Sequence, residues 1–104
     1  MSYRDEVPSP VIEATQVKFE LPITAILYLP EVEGFSLVGN IFNDSRGLFA
    51  DWRLIRTSTV VEFSECSWYI IASTFSGSRY ALVSATGADV QTLLGGSLFV
   101  VSGH

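Results

Sequence analysis

Residues 34–82 constrain the fold most: β-type runs alternate with short turn clusters, and Gly34, Gly39, Gly47 and Gly77 mark the breaks. Runs rich in Val, Ile, Thr, Phe and Tyr, bounded by Gly, Asn, Asp and Ser, are the signature of an antiparallel meander. One long turn interrupts the pattern and carries Asn43, Asp44, Arg46, Phe49, Asp51, Trp52 and Arg53. Asn43, Asp44 and Ser45 can each bond their own backbone there, and Gly47 can take a positive φ.

The flanking sequence extends this pattern. Residues 1–10 are polar, contain Pro8 and Pro10, and read as an extended arm, leaving residues 11–104 as a single β domain. Residues 11–20 favour a strand, since Val17, Phe19 and Leu21 alternate with Lys18 and Glu20. Residues 23–29 form a second run closed by Pro30, and residues 34–42 a third. Residues 53–63 read as a fourth strand ending at a 64–66 turn. Residues 67–75 and 79–84 then form a hairpin about Ser76, Gly77 and Ser78. Thr86 can cap a short C-terminal helix ended by Gly95 and Gly96, and residues 97–102 read as a last strand. The expected fold is all-β: a small antiparallel sandwich, or a twisted partial barrel, of six or seven strands with one short C-terminal helix.

Several strands are apolar on both faces. Trp68, Ile70 and Ala72 alternate with Tyr69, Ile71 and Phe75. A strand buried on both sides needs cover on both sides. The N-terminal arm, a second copy of the chain or another protein could supply it, and a homodimer is one expectation.

Composition limits the chemistry. The 104 residues suit one domain, and 48% apolar against 16% charged residues argues for a packed core. His104 is the only histidine and Cys66 the only cysteine, so no His/Cys metal cluster, no internal disulfide and no well-placed catalytic base is expected. No Gly-rich loop precedes a helix with a Lys, and no cofactor is expected. The chain reads as a non-enzyme. The N-terminus has no apolar signal core, and no run is long enough to span a bilayer, so a cytoplasmic setting without membrane contact is expected. The net charge is −5, and the first 40 residues carry six carboxylates against two cations. This makes direct nucleic-acid binding an unfavoured reading and suits a basic partner surface.

Two candidate sites remain. Asp44, Arg46, Phe49, Asp51, Trp52 and Arg53 have the composition of a protein-binding hot spot, although Phe49 and Trp52 could equally plug the core. Arg53, Arg56, Arg79 and Tyr80 could instead converge on an anionic ligand such as a nucleotide. Thirteen positions carry a resemblance: Leu37, Gly39, Asp44, Phe49, Asp51, Ile55, Thr57, Ser58, Val60, Thr74, Ser76, Tyr80 and Leu82. Over about half the chain their order resembles small β-rich proteins of bacteriophages and bacterial mobile elements. The resemblance implies a bacterial host cell and action by binding: an inhibitor or adaptor of a host or defence protein, for example a CRISPR effector. It also admits a sponge for a nucleotide signal, or a self-associating accessory protein.

Overall fold

The structure is a computed structural model and describes residues 6–90. It contains one short helix, α1 (Ser9–Thr15), followed by strands β1 (Ala25–Glu33), β2 (Ser36–Phe42), β3 (Leu54–Arg56), β4 (Val60–Cys66), β5 (Tyr69–Thr74) and β6 (Arg79–Val83). The strands form a single six-stranded sheet in the order β3-β2-β1-β6-β5-β4. The all-β expectation holds at this level. The sheet is mixed rather than antiparallel, because β1 and β6 pair in parallel from Ala25 opposite Tyr80 to Tyr28 opposite Val83. A parallel pair needs a long crossover, and here β2 to β5 supply it in place of a helix. The sheet is open, with β3 and β4 at its two edges.

The expected strand over residues 11–20 is replaced by α1. Pro8 and Pro10 favour a helix start, where a missing N–H costs nothing. Val11 and Ala14, three residues apart, face the sheet and are buried, while Glu13 and Thr15 are exposed. The alternation from Val17 to Phe19 survives in an extended segment that joins no ladder. Pro30 does not end β1: the register with β2 shifts between Tyr28 and Glu31, and Leu29 takes φ 55°. This bulge absorbs the proline and lets the strand run on to Glu33.

The expected fourth strand divides in two. Thr57 is buried, its Oγ1 accepts from the Leu37 N–H at 3.0 Å, and its hydroxyl donates to the Ser58 carbonyl at 2.7 Å. Through Thr57, Ser58 and Thr59 the chain leaves the β2 side and reaches the β5 side. The Thr57 N–H donates to the Leu37 carbonyl at 2.8 Å, and the Phe75 N–H donates to the Thr59 carbonyl at 2.8 Å. Ser64 to Cys66 belong to β4, not to a turn. The turn is Ser67-Trp68, both at positive φ (52° and 78°), so β5 starts at Tyr69. That two-residue left-handed geometry matches the twist of a tight hairpin, at some strain for non-glycine residues. The hairpin about Ser76, Gly77 and Ser78 is as expected, with Gly77 at φ 95°. Residues 84–87 form a tight turn closed by a Ser84–Gly87 bridge, where the C-terminal helix was expected to begin. The rest of that helix and the strand at residues 97–102 lie outside the described residues.

Both faces of the sheet are packed. One carries Leu27, Leu37, Ile41, Phe63, Ala72 and Leu82. The other carries Ile26, Phe42, Tyr69, Ile71, Ala81 and Val83, and against it lie Val7, Val11, Ala14, Val17, Phe19 and Ile23. The N-terminal segment therefore supplies cover for the second apolar face. Phe19 meets Tyr69 edge-on at 5.6 Å. Each fully buried aliphatic side chain contributes about 1.5–3 kcal/mol relative to exposure.

On the first face β1 and β2 approach closely at Gly39. A Cβ there would lie 2.9 Å from Leu27 Cγ and 3.0 Å from the Tyr28 carbonyl oxygen. Gly39→Ala is expected to cost about 1–3 kcal/mol by overpacking, read as a lower urea midpoint. An unchanged midpoint would mean that the two strands part without penalty.

Candidate functional site

The 43–53 loop is built around one carboxylate. Asp44 has no exposed side-chain surface. Its Oδ1 accepts from the Arg46 N–H (3.2 Å) and Arg46 Nε (2.9 Å), and its Oδ2 from the N–H groups of Leu48 (2.9 Å) and Phe49 (3.1 Å). Desolvation pushes the Asp44 carboxyl up. The Arg46 side chain and the backbone N–H groups of Arg46, Phe49 and Leu48 outweigh it, and hold the group below its ordinary value. Asp51 plays a smaller version of the same part, its Oδ1 accepting from the Asn43 N–H at 2.9 Å. The Ser45 N–H donates to the Thr24 carbonyl at 2.8 Å and ties the loop to the start of β1.

The two loop aromatics go to opposite faces of the sheet. Phe49 packs against the core containing Leu27 and Tyr80. Trp52, at φ 76°, packs against the other core. Its ring meets Phe42 at 4.9 Å and Tyr28 at 6.1 Å, both edge-on, and its indole N–H donates to the Glu6 carbonyl at 3.0 Å. Trp52 is thus half-buried and engaged in packing. Its backbone is engaged too: its N–H donates to the Ile41 carbonyl at 2.9 Å, and its carbonyl accepts from Asn40 Nδ2 at 2.9 Å.

The cations gather around Phe49. Arg46 Cζ lies 5.9 Å and Arg53 Cζ 5.8 Å from the ring centroid, within cation–π range. Arg46 also donates from Nη1 to Ser78 Oγ at 3.2 Å and interacts with Tyr80. Burial lowers the Arg46 pKa, but its bonds to Asp44 and Tyr80 more than reverse this, and it stays charged. Of the first candidate set, Asp44, Arg46, Phe49 and Arg53 come together, Asp51 braces the loop, and Trp52 turns away.

The second set is spread more widely. Arg53 sits on Phe49, and Tyr80 is buried beneath Arg46. Arg56 pairs with Glu33 at 2.5 Å, with both side chains more than half exposed. Arg79 is held at the foot of β6, where its N–H donates to Thr24 Oγ1 at 3.0 Å and its carbonyl accepts from the Thr24 N–H at 2.8 Å.

What the loop offers to solvent is Leu48, 66% exposed, with Arg53 and then Leu54, 63% exposed. Three aromatics are each 83% exposed: Phe35 and Phe75, at the tips of the β1–β2 and β5–β6 hairpins, and Trp68, in the β4–β5 turn. Trp68 and Phe75 leave the apolar faces on which the alternation placed them because β5 spans only Tyr69–Thr74 and both sit in the turns that flank it. Cys66 is half-buried, with its Sγ 4.0 Å from Ser67 Oγ. Among the described residues, no three His, Cys, Asp or Glu side chains cluster as a metal site would require, and no helix is long and apolar enough to cross a membrane. Compared with protein families, curated proteins and solved structures, the chain matches none.

The lowered Asp44 pKa sets a pH dependence. Its stabilising contribution is complete above the ordinary carboxylate value of about 4, and is lost only as pH falls through the lower folded value. The amide signals of Leu48 and Phe49 should hold steady to below pH of about 4 and then titrate together. Asp44→Asn should abolish that titration and cost about 2 kcal/mol, because one amide oxygen cannot serve all four donors. Amide titration of both proteins by NMR checks this.

Proposed function

We propose that the chain is a non-enzymatic protein-binding module, an inhibitor or adaptor that acts on a host or defence protein in the bacterial cytoplasm. One observation carries the reading: the 43–53 loop is held in one shape by hydrogen bonds from its backbone N–H groups to Asp44 and Asp51, yet it presents Leu48 and Arg53 outward, with the exposed Leu54 next to them. A loop ordered before binding loses little entropy on contact, so its exposed apolar and cationic groups act at full strength. An arginine stacked on an aromatic ring matches the make-up of interface hot spots, and the exposed leucines beside it add apolar area that contact would bury. The strongly coiled sheet, read as a partial barrel, is the rigid scaffold beneath. The order of residues that resembles phage proteins supports action by binding on a host or defence protein.

The test is affinity capture from bacterial lysate with the tagged chain beside a Leu48→Ser, Arg53→Glu variant. Both substitutions fall on exposed positions, so circular dichroism and melting temperature should match the parent. The expected outcome is a stoichiometric protein held by the parent and reduced at least about tenfold with the variant, equivalent to roughly 1.4 kcal/mol. Equal capture by both proteins would remove the loop from the interface.

A further inference from the structure

We propose that the 43–53 loop engages its protein partner through a carboxylate, an aspartate or glutamate side chain of that partner bound by Arg53 beside the Phe49 ring. This partner presupposes the binding-module reading, because the same loop meets it. Arg53 is the cation that the fold leaves unused. Its Cζ lies 5.8 Å from the Phe49 ring centroid, and its exposed guanidinium makes no hydrogen bond and no ion pair among the described residues. Its backbone is fixed on both sides: the Arg53 N–H donates to the Ala50 carbonyl at 3.2 Å, and its carbonyl accepts from the Ile41 N–H at 2.8 Å. The neighbouring Asp51 accepts from the Asn43 N–H and forms no ion pair with Arg53. A guanidinium held against an aromatic ring, with its N–H donors available, is ready to bind a carboxylate through two parallel hydrogen bonds.

The other described cations are engaged or stand elsewhere, and that selects the ligand. Arg46 shares the Phe49 ring at 5.9 Å, but its Nε bonds Asp44 at 2.9 Å and its Nη1 bonds Ser78 Oγ at 3.2 Å. Arg56 pairs with Glu33. Arg79 alternates with Tyr80 in β6, so it points away from the face that Tyr80 and Phe49 share. Lys18 lies in the N-terminal segment that covers the opposite face. One free guanidinium suits one carboxylate. A nucleic acid, a nucleotide or an anionic membrane carries several negative charges and needs several cations together. The net charge of −5 also repels such polyanions. A single carboxylate escapes this, because salt confines each exposed contact to about 8–10 Å. The wider surface of the partner can therefore still be basic.

The probe is a short end-blocked peptide with one glutamate between leucines, titrated into the isotope-labelled full chain. The Gln-for-Glu peptide and inorganic phosphate are the controls. The Glu peptide should shift the Arg53 Nε–H signal and the Phe49 amide. Arg53→Gln should weaken binding at least about tenfold, and Arg53→Lys by less, since an ammonium keeps the charge but not the planar fork. Both variants should keep the parent melting temperature, because the side chain is exposed. Equal binding of the Gln peptide, undiminished binding by Arg53→Gln, or no shift at millimolar peptide overturns the proposal. Phosphate binding tighter than the Glu peptide overturns it too, in favour of a small-anion site. Lysate capture with Leu48→Ser and Arg53→Gln, each alone, separates this contact from the binding-module reading. Loss of the captured protein with Arg53→Gln supports the carboxylate contact. Loss with Leu48→Ser alone overturns that contact and leaves the loop as the interface, and equal capture by both variants overturns both.

Discussion

The fold depends on the three-residue crossing from β3 to β4. These strands are consecutive in the chain, yet they stand at opposite edges of a six-stranded sheet. A flat sheet would hold its outer strands about 24 Å apart, at about 4.8 Å per strand. The chain from Arg56 to Val60 can reach only about 14 Å when fully extended. The sheet must therefore coil until its edges approach. Hydrogen bonds then hold the crossing on both sides: Leu37 and Phe35 on one, Phe75 on the other. Ser58 joins in through its side chain, accepting from the Ser76 N–H and donating to Ser76 Oγ. Coiling accounts for the sharp feature in β1, where Leu29 and Pro30 form a bulge, and for Gly39, where the inside of the coil leaves no room for a Cβ.

A coiled sheet encloses one face and turns the other outward. The inner face closes over Leu27, Leu37, Ile41 and Leu82, but the strands are as apolar outside, through Ile26, Phe42, Ile71 and Val83. Residues 7–23 meet that demand, although α1 is only seven residues long and a helix of that length is marginal alone. Packing of Val11 and Ala14 holds it in place. The 43–53 loop serves both sides at once, sending Phe49 to the inner core and Trp52 to the outer one. The Trp52–Glu6 hydrogen bond links the loop to the N-terminal cover. Loop order, outer core and N-terminal segment are therefore mutually dependent.

The readable parts of the sequence were those governed by local rules. Strands β2, β5 and β6 follow from alternation and turn residues, and so does the bonding of Asp44 to its own loop backbone, whereas the bond from the Asn43 N–H to Asp51, eight residues on, does not. The double-apolar strands correctly announced a second covered face. The parts that failed were governed by distant contacts. Thr57 looks like an ordinary strand residue, and only its bonds with Leu37, twenty positions earlier, turn it into a crossing. Val11 and Ala14 offer just two points of helical period, too few against the clean alternation that follows them. Ser67 and Trp68 carry no turn signature, because their left-handed conformation is imposed by the pairing of β4 with β5. The parallel β1–β6 pair has no local signal at all.

Trp52 and Phe35 show how structural demand separates from functional opportunity. At Trp52 the backbone bonds β2, the ring packs on Phe42 and Tyr28, and the indole N–H is satisfied, so fold requirements account for every part of the residue. At Phe35 and Phe75 the fold uses only backbone atoms. Any residue able to adopt the same backbone would make those bonds, and a smaller polar one would avoid presenting a phenyl ring to water. Packing among the described residues therefore does not account for side-chain identity at these two positions, nor at Trp68, which is as exposed. The same reasoning applies to Leu48 and Arg53, whose neighbours Asp44 and Phe49 hold the loop without them.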